Sequence, residues 1–332
     1  MEANSRITID DIARRLDISR TTVSKALNGK CVPERTRDKV LSAATELGYK
    51  SFHLIRSKQS KHRKILLLAA HPLMSTSFFV RFIRGIESLI PETKIELIHY
   101  TLLPDSGFLD DINEMVKNIK PDGIIGLEFY KADAIMNILS LNIPVVFFDF
   151  CPRPVDTDKA FDVILPISAE VVKAKIAEFA KDGCRHIWFM GEPSNCRAFY
   201  ERYNACQEAC AALGIRFSKR SEAGVDLQKV IKNEIIIPNG LPNVMFCGND
   251  YEAINLLYIL RRCKIAVPDC VRVIGFDNIP ESAFTVPPLS TFNIDKHQFG
   301  RSALNCLLER IADPAVPRRF IYLQTNYVPR QT

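Results

Sequence analysis

From residue 65 onward the apolar positions alternate between short unbroken runs and longer stretches with apolar residues three and four apart. ILLLAA (65–70), KIELIHY (94–100), DGIIGLEF (122–129) and PVVFFDF (144–150) read as strands. Between them SFFVRFIRGIESLI (77–90), FLDDINEMVKNI (108–119) and ADAIMNILSLN (132–142) read as amphipathic helices. The rhythm repeats from about Phe161 with DVILP, AEVVKAKIAEFAKDG, HIWFMG, a helix near 198–213, NVMFCGND, YEAINLLYILRR and VRVIGFD. Strands apolar on both faces, joined to helices by short connections, predict a parallel sheet covered on both sides. Two such series predict an α/β core of two doubly wound parallel-sheet lobes over 65–332.

The first fifty residues follow a different pattern, with three short helices carrying narrow apolar stripes. Thr8 stands three residues before Asp11, a capping-box arrangement, and Ile12, Ala13 and Leu16 then share one helix face. Asp17 and Ile18 leave a tight turn before Ser19, a good N-cap; Val23, Ala26 and Leu27 form the next stripe, and Gly29 is a natural stop. Pro33 opens a third helix with Val40, Leu41, Ala44 and Leu47 along it, closed at Gly48. Two helices joined so tightly form a helix-turn-helix. The second helix turns Arg20, Thr21, Ser24, Lys25 and Asn28 away from its stripe. In isolation that face reads equally as a solvated surface or as one that reads base edges and phosphates.

Charge shifts the balance toward nucleic acid. Residues 1–64 hold 15 Lys and Arg against 7 Asp and Glu, whereas the other 268 hold 29 against 31. A small basic module on a near-neutral body is the footprint of phosphate neutralisation and counterion release. A basic membrane arm would need a continuous amphipathic helix rich in large apolar residues, and turns break this one. The 332 residues, 47% of them hydrophobic, suffice for several globular units. Nothing resembles a secretory start or a membrane span, so the expected place is the cytoplasm. Ten cysteines without a C-x-x-C pair read as reduced, mostly buried thiols. No metal or cofactor is expected.

In open α/β sheets ligands bind beyond the C-terminal strand ends, which makes the cleft between two lobes the expected small-molecule site. Candidate residues there are Asn249 and Asp277 at strand ends, Arg202 early in a helix, and Phe78 and Phe79 opening the first core helix. Asp250, directly before YEAINLL, reads better as a helix cap, and Asp277 reads equally as a cap or a ligand group. A carboxylate, an amide, a guanidinium and aromatic faces suit a sugar or a stacking base. No G-x-S-x-G, H-E-x-x-H or Walker pattern is present, so the expectation is a protein that is not an enzyme.

The chain resembles the LacI/GalR family of transcriptional regulators from Thr8 nearly to its end. TIDDIARRLDISRTTVSKALNG, VPERTRDKV, ELGY, RFIRGIE, FCGNDYEA and VPDCVRVIGFDN followed by PPLST carry the resemblance. It implies a helix-turn-helix headpiece over 1–50, a hinge over 51–64 that becomes helical on the operator, and a periplasmic-binding-protein-like core over 65–332 that dimerises and binds an effector, with lobe 1 over about 65–160 and 292–320 and lobe 2 over about 161–291 and 321–332. The implied partners are double-stranded DNA with a palindromic operator, a small carbohydrate-like effector, and a second copy of the chain, or more than one. The implied DNA-binding residues are Thr8, Ser19, Arg20, Thr21, Thr22, Ser24, Lys25 and Asn28, with Arg56, Ser57 and Lys58 in the hinge.

Departures from the family pattern lie in the hinge and the effector half. Family hinges read Ala-Arg-Ser-Leu, and the leucine wedges into the minor groove; here the segment is Ile55-Arg56-Ser57-Lys58. An ammonium cannot replace an apolar wedge, which predicts a gentler bend over an A·T-rich centre. The usual Asp-Asn after the lobe-crossing strand is Pro166-Ile167, and a usual glycine after Arg202 is Ala205. Two other classes remain. A transport solute-binding protein would need an export signal in place of residues 1–64. A sugar-handling α/β enzyme fused to a DNA-binding module would need a phosphate-cradling loop.

Overall fold

The computed structural model describes residues 7–27, 32–47, 63–70, 76–102, 108–219 and 241–332. The N-terminal unit has three helices, α1 (Ile9–Leu16), α2 (Arg20–Leu27) and α3 (Glu34–Glu46). Asp11 starts α1 by accepting the backbone N–H of Thr8 at 2.8 Å and its hydroxyl at 2.7 Å. Asp17 ends it in the left-handed region at φ 52°, which a short polar side chain tolerates. Ser19 Oγ then accepts the Thr22 N–H at 3.0 Å, satisfying one of the unpaired donors of the first turn of α2. Ile12, Val23, Ala26, Leu27, Val40 and Ala44 form one small core. The expected stops at Gly29 and Gly48, the Leu41 side chain, Asn28 and the hinge residues Arg56, Ser57 and Lys58 lie outside the described residues.

The larger unit contains two six-stranded sheets. Lobe 1 is built from β1 (Arg63–Ala69), α4 (Ser77–Glu87), α5 (Ile90–Thr93), β2 (Ile95–Thr101), α6 (Phe108–Ile119), β3 (Gly123–Leu127), α7 (Ala132–Ser140), β4 (Val145–Phe148) and β5 (Asp162–Pro166). Lobe 2 follows with α8 (Ala169–Lys181), β6 (His186–Met190), α9 (Arg197–Ala212), β7 (Arg216–Lys219), β8 (Val244–Cys247), α10 (Asp250–Arg262), β9 (Arg272–Asp277) and β10 (Ser290–Ile294). The chain then returns to lobe 1 as α11 (Lys296–Ala312) and β11 (Arg319–Leu323), and ends in lobe 2 with β12 (Thr325–Val328). The sheet orders are β11-β5-β4-β3-β1-β2 and β12-β10-β9-β8-β6-β7.

One expectation is corrected by this pairing. The sequence rhythm places the first crossing near residue 161, but β5 pairs in parallel with β4, Val146 opposite Asp162, so DVILP belongs to lobe 1 and the crossing follows Pro166. The later crossings move in the same direction, to after Ile294 and after Leu323. A strand must run its full length before the chain can leave from its cleft end, and an apolar run alone does not reveal which sheet it joins. Lobe 2 has the expected parallel sheet, β10-β9-β8-β6-β7, with one added edge strand, β12, that runs antiparallel to β10. Only Gln324 separates β11 from β12, so the chain continues straight across the seam and enters the second sheet from its cleft side.

Lobe 1 is closed by a close helix crossing and a buried ion cluster. A Cβ on Gly85 of α4 would overlap the His297 carbonyl oxygen, and one on Gly300 of α11 would overlap that of Phe82. The two helices thus meet backbone to backbone at a pair of glycines. Asp162, with no exposed surface, accepts hydrogen bonds from Arg310 at 2.6 and 2.8 Å and from Arg319 at 3.0 and 3.1 Å. Burial pushes its carboxyl upward, and the two guanidiniums with the Cys306 thiol outweigh that, holding it below its ordinary value. This cluster ties β5, α11 and β11 together, fixing which sheet the returning chain joins.

Candidate functional sites

In the N-terminal unit, Arg20, Thr21 and Lys25 are exposed on α2, opposite the buried Val23, Ala26 and Leu27. Arg20 forms an ion pair with Asp10 at 3.3 Å. Ser19 and Thr22 share a hydroxyl–hydroxyl bond of 2.8 Å, and Ser24 is half-buried. Thr8 is exposed at the start of α1. The structure therefore brings Thr8, Ser19, Arg20, Thr21, Thr22, Ser24 and Lys25 into one small unit. Arg20 and Lys25 supply charge there, while Thr22 and Ser19 are partly occupied in starting the helix.

The second site is a cleft of about 240 Å³ between the two lobes of the core. Phe78 and Phe79, at the start of α4, line it edge to face with ring centres 5.1 Å apart. Arg202 and Asp277 line it from lobe 2, with their charged groups 3.7 Å apart. Arg202 is only 3% exposed; its guanidinium lies 3.6 Å over the Phe276 ring and donates to the Gly248 carbonyl at 2.5 Å. Asn249 also lines the cleft, but its Oδ1 accepts the Glu252 N–H at 2.9 Å, so Asn249 is the cap of α10. That corrects the reading of Asp250 as the cap. Fully buried Asp250 instead accepts the Ile279 N–H at 2.9 Å and the Thr291 hydroxyl at 2.5 Å, tying the loop after β9 to β10.

Several cleft residues were not singled out in the sequence: Glu128, Tyr130, Phe148, Asp149, Phe199 and Tyr251. Glu128 and Asp149 follow the apolar runs of β3 and β4, and the strand-end rule that picked out Asp277 would have found them. Burial pushes the Glu128 carboxyl up to about 7, helped by the charge of Asp149. Burial pushes Asp277 up to about 6 against the pull of Arg202 and Lys296. Asp149 is raised by burial too, although its Oδ1 accepts the N–H groups of Phe150 at 2.7 Å and Ala198 at 3.1 Å. Lys296 at the start of α11 donates to the carbonyls of Asp277, Asn278 and Ile294, which pins the lobe 1 helix to the lobe 2 strand ends. The cleft combines three carboxyls, one committed guanidinium, two tyrosines and several phenylalanine faces.

The profile of bacterial regulatory proteins of the lacI family matches residues 8–51, and that of the periplasmic binding protein-like domain matches residues 176–332. The HTH-type transcriptional repressor PurR of Vibrio campbellii is 30% identical over 334 residues, covering 98% of each chain. This chain belongs to the LacI family. The PurR repressor of Photobacterium profundum is 28% identical, again over 98% of each chain. Among solved structures, the complex of the transcriptional regulator CelR with cellobiose aligns at a TM-score of 0.66 and 20% identity, over 98% of this chain and 99% of the other. The lac repressor dimer bound to operator and the anti-inducer ONPF aligns at 0.63 and 18%, over 99% of both. These structural likenesses establish the LacI-type fold, a helix-turn-helix unit followed by two α/β lobes. As a LacI-family member, the chain is a DNA-binding transcriptional regulator under ligand control.

Proposed function

We propose that this regulator is a cytoplasmic repressor that binds a palindromic operator as a dimer. Its α2 face and hinge residues Arg56, Ser57 and Lys58 touch DNA, and its cleft takes a small neutral ligand rich in O–H groups, a sugar or related metabolite. The observation that carries the ligand class is the convergence of Glu128, Asp149 and Asp277 on one cleft of about 240 Å³. A carboxyl accepts hydrogen bonds through both oxygens when ionised and donates one when protonated, which suits hydroxyl groups that do both, and a cluster already resisting ionisation disfavours an anionic ligand. The volume lies below the roughly 300–1,000 Å³ of drug-sized pockets, which fits a single ring. A heteroaromatic base is the second reading, favoured by Phe78, Phe79, Phe148 and Phe199 along the same walls. The second copy of the chain is proposed to cover Tyr258, Phe284 and Val286, which are 60%, 84% and 72% exposed.

The test is operator binding by the full chain in the presence of a panel of monosaccharides and nucleobases. At least one monosaccharide should change operator affinity. Asp277→Asn, isosteric and outside the DNA-binding unit, should abolish that response and leave ligand-free operator binding within about twofold, since no DNA contact is lost. A response only to bases would select the second reading. A response that survives in Asp277→Asn would remove the cleft from the mechanism.

A further inference from the structure

A second cavity, of about 250 Å³, opens beside β11 and shares no lining residue with the cleft. Its inner wall is aromatic. Phe150 and Phe161, both buried, stack with ring centres 5.3 Å apart and planes 22° apart, and Phe320 meets Phe150 edge-on at 6.1 Å. Alternation along β11 sends Phe320 and Tyr322 to the face opposite Arg319, which is committed to Asp162. Both rings remain about two-fifths exposed on an edge strand. Three guanidiniums surround them. Arg318 lies 5.3 Å over the Phe161 ring, Arg197 pairs with Glu201 at 2.7 Å, and exposed Arg153 completes the set.

These features leave both apolar and cationic groups open to a ligand. Large aromatic rings face water on an edge strand. Three guanidiniums line a cavity whose lining includes no carboxylate, and Glu201, which pairs with Arg197, also accepts the Tyr322 hydroxyl at 2.7 Å. Among the described residues no ion pair holds Arg153 or Arg318. A ring would cover the aromatic wall, and a negative group attached to it would meet the guanidiniums in paired, charge-assisted bonds. The cavity also bridges the lobes, because Arg197 comes from lobe 2 and the other lining residues from lobe 1. The Arg197 N–H donates to the Phe150 carbonyl at 2.7 Å, beside the bond from Ala198 to the cleft carboxylate of Asp149. Two adjacent residues from each lobe therefore separate the two cavities.

We propose that this cavity is a second ligand site, specific for an aromatic anion: a single ring bearing a phosphate or carboxylate. The probe is phenyl phosphate, titrated calorimetrically into the full chain, with phenol and inorganic phosphate as controls. Phenyl phosphate should bind at least about tenfold more tightly than either control, since only it engages both the rings and the guanidiniums. The double variant Arg153→Gln/Arg318→Gln, at exposed positions, should weaken it by about tenfold or more while keeping the wild-type unfolding temperature without ligand. Asp277→Asn should bind it as the wild type does. Absence of phenyl phosphate binding, equal binding of inorganic phosphate, or loss in Asp277→Asn with retention in the arginine variant would each overturn the proposal.

Discussion

Glu128, Asp149 and Asp277 hold φ angles of 62°, 58° and 112°, in the region that side-chain-bearing residues rarely enter. Each stands at or just past the end of a strand in the cleft, so the fold carries backbone strain and a desolvated carboxyl at the same three points. The acid–base consequence has a definite sign. In the unfolded chain these carboxyls lose their protons near pH 4, whereas in the folded core Asp277 holds its proton to about 6 and Glu128 to about 7. The folded state binds more protons over that interval, so their contribution to stability is fullest below pH 4 and is lost as the pH rises toward 7. Glu128→Gln should flatten this decline and stabilise the core by about 1–2 kcal/mol at pH 8, with little gain at pH 4. Urea denaturation at the two pH values measures it, and an equal gain at both would contradict a titration origin. Asp277 was legible in the sequence as a lone carboxylate ending an apolar run. Arg202 was legible as a cleft residue, but its stacking on Phe276 depends on a neighbour more than seventy positions away, which local pattern does not reveal.

At the scale of elements, the contact between α4 and α11 governs lobe 1. Glycine is a poor helix former, and neither Gly85 nor Gly300 has a local reason to be small. The reason lies in the partner helix, whose carbonyl oxygens would collide with an added methyl group. Gly85→Ala or Gly300→Ala should therefore destabilise the core by about 2 kcal/mol or more, despite the roughly 1 kcal/mol that alanine gains in helix propensity. Chemical denaturation reads this directly, and an unchanged or raised midpoint would show that the helices can separate without penalty. Because α4 carries Phe78 and Phe79 and α11 carries Lys296, the same variants should disturb the cleft. The strands and helices themselves were legible, since their apolar spacing is local. The sheet assignment of β5 was not, because it depends on pairing with β4 and on the Asp162 cluster, and neither leaves a periodic signal.

At the scale of the whole molecule, the positive excess of the chain resides in residues 1–64. A fragment beginning at Lys64 should lose essentially all duplex affinity. In the full chain that affinity should fall by about 0.9 log units per tenfold rise in salt for each phosphate neutralised. Anisotropy titrations at several salt concentrations give the slope, and a fragment retaining comparable affinity would place the DNA-binding surface elsewhere. The division of labour was visible in charge and pattern because each is a property of contiguous sequence. The two lobes are not contiguous: the chain passes between their sheets after Pro166, after Ile294 and after Leu323. One cut detaches the DNA-binding unit, but no single cut yields either lobe whole. In the course of descent, a recombination event can therefore exchange the DNA-reading unit while retaining the ligand specificity of the core, whereas the two halves of the cleft must be inherited together and diversify by substitution in place.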